Sequence, residues 1–250
     1  MNFDIDFNIL IPAFIAGLLV LATHIPFGMR VLQRGVIFAD LAVAQIAGLG
    51  VIIAGLLDLT ERPLLVQVIA VSSALCGAAL LTWIERRSPE VKEAAIGLTF
   101  VLAASLGILL LSRDVHAGEH LKDLLVGQIL WVSNSQLFAT ALLSAALLSV
   151  WKMFRQRLGD FGFYALFAIA ITASVQLVGI YLVFASLIVP ALATYRVLKR
   201  RYLLAFGTGV TGYALGLLLS VWLDLPSGAA IVWTMAVAGA AVLMAAPARE

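Results

Sequence analysis

Long apolar runs are the feature of this sequence that most constrains its fold. Several extend for about 20 residues with few charges, the length that an α-helix needs to cross the hydrocarbon core of a bilayer. The runs are continuous and do not alternate, as the strands of a membrane barrel would. In lipid, each segment must satisfy its own backbone polar groups. We therefore predict an all-α fold, a polytopic bundle of about eight to nine transmembrane helices.

The composition agrees with lipid as the solvent. Of the 250 residues, 63% are hydrophobic and 12% are charged, and the mean hydropathy is +1.08, whereas soluble domains carry about 25% charged residues. The single cysteine, Cys76, excludes a disulfide framework and a cysteine-based metal cluster, and we expect it to pack as a small hydrophobe. The acidic amino terminus, MNFDIDFN, lacks the basic region of a secretory signal, so the first run is expected to remain as a span.

Span length predicts seven clear helices and one longer apolar stretch. The longer stretch, 162–197, exceeds one crossing, and Gly179 is suited to break it into two short helices. No linker interrupts the runs, so we expect one transmembrane domain over 1–250. The glycines of 207–212 and Gly216 are expected to permit close helix approach. The clear helices lie near 9–27, 36–57, 64–84, 94–112, 137–153, 202–221 and 228–245.

The distribution of basic residues predicts the orientation. With nine crossings and the amino terminus outside, only Arg62, Arg113 and Lys122 of the 16 Lys and Arg lie outside. This asymmetry agrees with the positive-inside rule. A single span over 162–197 would instead place the basic cluster at 196–201 outside. We expect a multi-pass protein of the bacterial inner membrane.

Asp40 is the one acidic residue inside a predicted span, and an acid at that depth is a candidate functional residue. Gln45 lies slightly more than one turn further along the same helix. The plainer interpretation is an aspartate near a helix end that pairs with Arg34 or a neighbouring arginine.

A second candidate site is the predicted outer loop RDVHAGEHLKDLL. His116, His120 and Asp123 stand at i, i+4 and i+7, and they share one face if the segment is helical. Two imidazoles and a carboxylate are typical zinc or manganese ligands. The alternative is an ordinary solvated loop. The remaining histidine, His24, is expected to cap the first helix or to line an interface.

The chain offers no machinery for hydrolysing ATP. It has no GxxxxGK[ST] phosphate loop, and no nucleophile and base pair is evident in the apolar runs. We therefore expect a transport subunit rather than an enzyme, with no nucleic-acid partner. Energy for uphill transport would come from an ATPase on another chain or from a coupled ion.

Five segments carry a resemblance to a known family. The chain resembles the membrane permease of ABC transporters for zinc, manganese and iron, often called ABC-3. The resemblance implies a homodimeric permease that imports a divalent metal ion, namely zinc, manganese or iron, with zinc or manganese favoured, and that has no cofactor besides the transported ion. It also implies an ATPase dimer inside and a soluble metal-binding protein outside. The segments are LQRGVIFADLAVAQIAGLGV (32–51), EAAIGLTFVLAASLGILLLS (93–112), LLVGQILWVS (124–133), QLVGIYLVFASLIVPALATYRVL (176–198) and DLPSGAAIV (224–232).

The sequence departs from the family pattern in two places. Family members usually carry an Asp and a His four residues apart as metal ligands; here Asp40 matches, but the second position is Ala44. The nearest polar residue is Gln45, a candidate metal ligand with Asp40, although an amide is a weaker ligand for zinc than imidazole. Metal binding is therefore expected to shift toward His116 and His120. The cytoplasmic segment between Arg157 and Phe163 is also shorter, so contact with an ATPase is either reduced or altered. The alternative is a degenerate relative that acts without ATP as a metal channel, an ion-coupled carrier or an accessory membrane protein.

The orientation can be tested by thiol labelling in a Cys76→Ser background. A cysteine at Ser135 should react with an impermeant reagent in intact cells, whereas one at Gln156 should react only after permeabilisation, because the basic residues lie inside. The opposite labelling pattern would contradict the predicted topology.

Overall fold

A computed structural model describes residues 7–59, 61–112, 125–154, 157–197 and 199–246. Within these ranges the regular elements are helices, with no strand. Nine α-helices and one short 3₁₀ turn at Ile129–Trp131 are bounded there. The helices are α1 (Phe7–Arg34), α2 (Ala39–Leu56), α3 (Pro63–Arg87), α4 (Lys92–Leu111), α5 (Asn134–Phe154), α6 (Asp160–Val178), α7 (Ile180–Ala193), α8 (Arg201–Leu223) and α9 (Ser227–Ala245).

Eight of these helices are long and apolar enough to cross a membrane. The exception is α7, whose 14 residues extend only about 21 Å at about 1.5 Å per residue, less than the hydrocarbon core of about 30 Å. The predicted all-α, polytopic transmembrane fold is confirmed.

The predicted helix break at Gly179 is confirmed. Gly179 separates α6 from α7 with φ 79° and ψ 164°, a backbone region that is essentially restricted to glycine. Gly127 also has a positive φ, 68°. A Cβ on either glycine would overlap the backbone of the other segment. The break therefore depends on two glycine backbones in direct contact. The first half of the pair is longer than expected, since the 19 residues of α6 form a candidate span.

Most of the clear helices extend beyond their predicted ends, whereas α2 (Ala39–Leu56) is shorter at both ends than the predicted 36–57. α1 continues past Pro26 to Arg34, because a membrane helix tolerates proline where neighbouring groups satisfy or cover the freed backbone. Glu93 and Asp160 lie in the first turns of α4 and α6, where the helix dipole favours a carboxylate. The prediction that Asp40 is the one acid inside a span is therefore wrong.

The chain divides into two compact units. The first comprises Met1–Arg34, Leu125–Ala146 and Gln176–Glu250, in which α1, α7, α8 and α9 pack on one another. The close approach expected from the α8 glycines is found at three of them: Gly209 packs against α1, and Gly212 and Gly216 against α9, while Gly207 faces open space.

The second unit comprises Gly35–Leu124 and Leu147–Val175. Within its described part, α2 packs against both α3 and α4. Gly50 and Gly77 allow α2 and α3 to approach closely, and Gly107 of α4 lies against Ile52 of α2. Cys76 has an exposed side chain on α3, so it is not packed in the interior as expected.

Replacing Gly179 by alanine should destabilise the protein, because strain of about 1–3 kcal/mol at this backbone conformation adds to overlap with the 126–127 backbone. Thermal unfolding of the purified protein in detergent would measure the loss as a lower melting temperature. Gly207→Ala is the matched control, since its Cβ would meet open space and alanine is the better helix former. Equal melting temperatures for the two variants would refute the proposed role of the glycine contact.

Candidate functional site

Asp40 lies in the first turn of α2 and is 1% exposed. Neither of its carboxylate oxygens has a hydrogen-bond partner in the described part of the chain. An ionised carboxylate removed from water without a partner costs several kcal/mol. The simpler interpretation, an aspartate neutralised by a nearby arginine, thus has no support among the described residues. Asp40 is therefore a buried acid whose carboxylate oxygens have no hydrogen-bond partner among the described residues.

The helical period decides which neighbours share the face of Asp40. Ala44 is about 40° around the helix from Asp40, whereas Gln45 is about 140° away, at about 3.6 residues per turn. Ala44 is also buried, at 1% exposure, and Gln45 is half-buried. The structure therefore groups Asp40 with Ala44, and it brings Gln45 to a different side of α2.

Glu93 is a second acid at the same end of α2, and sequence reasoning missed it. Its Oε1 accepts a hydrogen bond at 3.1 Å from the backbone N–H of Phe38, the residue that precedes α2. Its Oε2 is buried without a hydrogen-bond partner among the described residues. The predicted start of α4 at residue 94 excluded Glu93 by one position. The preference of acids for the first turn of a helix was the signal that could have included it.

The packing of α4 on α2 explains why Glu93 reaches this position. The ring of Phe38 lies next to Gly97, one turn beyond Glu93, and Ile52 near the other end of α2 lies next to Gly107. Phe38 and Ile52 lie 14 positions apart, and their contacts on α4, Glu93 and Gly107, also lie 14 positions apart, so α2 and α4 run parallel and begin together. Two helix starts, each with an acid in its first turn, are therefore adjacent.

The outer-loop residues His116, His120 and Asp123 lie outside the described residues, so their site stays a prediction. Among the residues that are described, no group of three or more His, Cys, Asp and Glu side chains is positioned to hold a metal ion. The acids available near α2 form a pair, not a complete protein cage.

His24 lies in the middle of α1, not at a helix end, and it is fully buried. Its Nδ1 is 2.9 Å from the carbonyl oxygen of Val20 and 3.0 Å from Oγ1 of Thr23. Leu21 and Gly28, on the same face of α1, contact α8 and α7. His24 therefore lines a helix interface, one of the two expected roles, and the expected capping role is wrong because α1 continues beyond it.

Eight candidate spans and an unpartnered acid at the start of one of them define a polytopic membrane protein with a polar site inside its helices. The family model described as the ABC 3 transport family matches residues 6–161 and 156–246. The chain belongs to this family, which confirms the resemblance found in the sequence.

Curated relatives are similar at low identity. The chain is 23% identical over 172 residues to a Haemophilus influenzae protein named "Probable iron transport system membrane protein", matching 60% of this chain and 63% of that protein. It thus spans just under two thirds of that relative. It is 26% identical to the Streptococcus gordonii manganese import system permease protein ScaB, over 92% of this chain and 89% of the relative.

A solved structure has the same fold over nearly its whole length. It is the complex PsaBC from Streptococcus pneumoniae with a Fab, in which the matching chain is 25% identical. The match covers 97% of this chain and 93% of that chain, with a TM-score of 0.75.

Proposed function

We propose that this chain is the permease subunit of an ABC transporter that imports a divalent metal ion across the bacterial inner membrane. The observation that carries the proposal is Asp40, buried at the start of a membrane helix without a partner. Its position also matches the family aspartate in the segment 32–51. The names of the relatives, an iron transport system membrane protein and a manganese import permease, support a metal substrate.

The chemistry of Asp40 suits a transient metal ligand. A divalent cation that leaves water needs anionic oxygen or imidazole donors, and Asp40 supplies a buried carboxylate whose oxygens have no hydrogen-bond partner in the described part of the chain. The same property limits how tightly the ion is held, because one or two carboxylates leave most coordination positions to water. Weak, incomplete coordination is what a transport path requires, since the ion must also leave.

The proposed partners are an ATPase on the cytoplasmic side, a soluble metal-binding protein outside, and a second copy of the chain. The sequence has no phosphate loop of its own. Only 22% of the α4 span and 22% of the α5 span are buried within the described protein, so these helices have apolar surface to offer to lipid or to a second copy. The amino terminus is proposed to lie outside.

The short connection between α5 and α6 favours the alternative function, transport that does not depend on ATP. α5 ends at Phe154 and α6 begins at Asp160, so the connection that would include a short ATPase-contacting helix in the family has only residues 155–159. A channel or ion-coupled carrier would not need this helix. Copurification with an ATPase, and loss of uptake on ATP depletion, would support the ABC assignment over this alternative.

Asp40→Asn should reduce metal accumulation about tenfold or more, toward the level of cells lacking the protein. It should not lower the melting temperature, because removing a charge from an apolar depth eases insertion. Uptake of manganese, iron and zinc by cells expressing each variant provides the measurement. Asp58→Asn is the matched control, since Asp58 is exposed in the turn after α2. Undiminished uptake by Asp40→Asn would assign Asp40 a structural role.

The outer loop is proposed to receive the ion through His116, His120 and Asp123. The double variant His116→Ala with His120→Ala should lower uptake at limiting metal and change it little at abundant metal. Capture should weaken below about pH 6.5, because the ligating imidazole must be neutral. A metal titration of purified protein tests this directly. If the double variant binds zinc or manganese as tightly as the parent, the loop is an ordinary solvated surface.

A further inference from the structure

The first turns of α2 and α4, each with an acid, lie side by side. Oε1 of Glu93 accepts a hydrogen bond from the backbone N–H of Phe38, the residue before α2. Asp40 lies two residues beyond Phe38, in the first turn of α2. The carboxylate of Glu93 is therefore at the same end of α2 as that of Asp40. The two acids are 53 positions apart in the sequence, and the parallel packing of α2 and α4 brings their helix turns together.

Three oxygens of this pair lack a hydrogen-bond partner in the described part of the chain: both oxygens of Asp40 and Oε2 of Glu93. Lys92, the basic neighbour of Glu93 along the chain, forms an ion pair with Glu85 at 3.8 Å. Two neighbouring carboxylates disfavour each other's ionisation in a low-dielectric site. A divalent cation between them would neutralise both charges and satisfy the orphaned oxygens.

The two oxygens of Glu93 have separable tasks. Oε1 is occupied by the Phe38 N–H, which fixes the first turn of α2 relative to α4. Oε2 remains available to an ion. The backbone hydrogen bond thus holds the carboxylate in place before any metal arrives.

The face of α2 explains why a ligand from another helix is needed. One turn beyond Asp40 the side chain is the methyl group of Ala44, which cannot coordinate. No imidazole or thiol completes a metal-holding group with these acids among the described residues. The donors at this end of α2 are carboxylate oxygens, which suit manganese, whereas imidazole suits zinc well.

We propose that Glu93 is a second metal ligand that acts with Asp40, and that this all-carboxylate pair shifts the permease toward Mn²⁺ and away from Zn²⁺. This inference rests on the proposed function, because it adds a ligand and a metal preference to the same path. It assigns to α4 the role that a second side chain on α2 would otherwise have.

Manganese and zinc titrations of the purified full chain in detergent would test the pair, with the parent and every variant carrying His116→Ala and His120→Ala so that the proposed outer-loop site does not contribute. Glu93→Gln keeps an oxygen for the Phe38 N–H and removes the charge. It should weaken Mn²⁺ binding about tenfold or more, since even groups that only support a metal ligand contribute about 10–100-fold to affinity. Glu90→Gln makes the same change on an exposed side chain three residues away and should bind Mn²⁺ like the parent. Melting temperatures verify folding.

The outcomes separate the inference from the proposed function. If Glu93→Gln binds Mn²⁺ like the parent while Asp40→Asn loses it, the pair is refuted and the role of Asp40 stands. If Asp40→Asn also binds like the parent, both fail. Loss in both variants, with Glu90→Gln unaffected, supports the pair.

Two further measurements do not depend on the folding of Glu93→Gln. Ala44→His should raise Zn²⁺ affinity relative to Mn²⁺ about tenfold or more, because it adds an imidazole one turn from Asp40. X-ray absorption of Mn²⁺ bound to protein with His116→Ala and His120→Ala should show oxygen neighbours without imidazole scattering. Imidazole scattering in that spectrum, or an unchanged metal ratio in Ala44→His, would overturn the proposal.

Discussion

The cost of an unsatisfied backbone group in lipid is the constraint on which this fold depends. Each such group costs several kcal/mol where no water can reach it, so the apolar segments become helices whose hydrogen bonds are internal. Helices in lipid gain little from hydrophobic association, and they pack where small residues let their backbones approach. Gly50 and Gly77 do this between α2 and α3, and Gly209, Gly212 and Gly216 do it around α8. Within the described part of each unit, these glycines are therefore points where two helices approach closely.

The same low-dielectric surroundings give the acid at α2 its significance. On a soluble surface, Asp40 would be an ordinary solvated carboxylate near a helix start. In this protein Asp40 is 1% exposed and its carboxylate has no hydrogen-bond partner in the described chain. Its ionised form is therefore costly unless a cation binds next to it. A bound cation would stabilise the carboxylate more strongly than the dipole at the start of α2 can. Selectivity then depends on which other donors are within reach, which makes the neighbouring helix as important as α2 itself.

Sequence reasoning was most successful where the signal was local and strong. Helix identity followed from run length, and the break at Gly179 followed from a glycine in a stretch too long for one span. It failed at helix ends, where α1 continues through Pro26 and α4 begins before Glu93, because hydropathy does not detect the polar first and last turns of a helix. Asp40 could be found from its depth alone. Its proximity to the Glu93 turn could not, since it depends on the parallel packing of α2 and α4, which no local pattern encodes.

The contact between Gly127 and Gly179 has a consequence for how the protein enters the membrane. The 14 residues of α7 are too few to be retained as an independent span, so the segment depends on neighbours to hold it at membrane depth. One of those neighbours is the backbone at 126–127, which is synthesised about fifty residues earlier. The segment at 126–127 is therefore already synthesised when α7, which packs against it, leaves the ribosome. If the segment at 126–127 were misplaced during insertion, α7 would lack this backbone contact. The defect would then appear only when α7 is synthesised, about fifty residues after the segment that caused it.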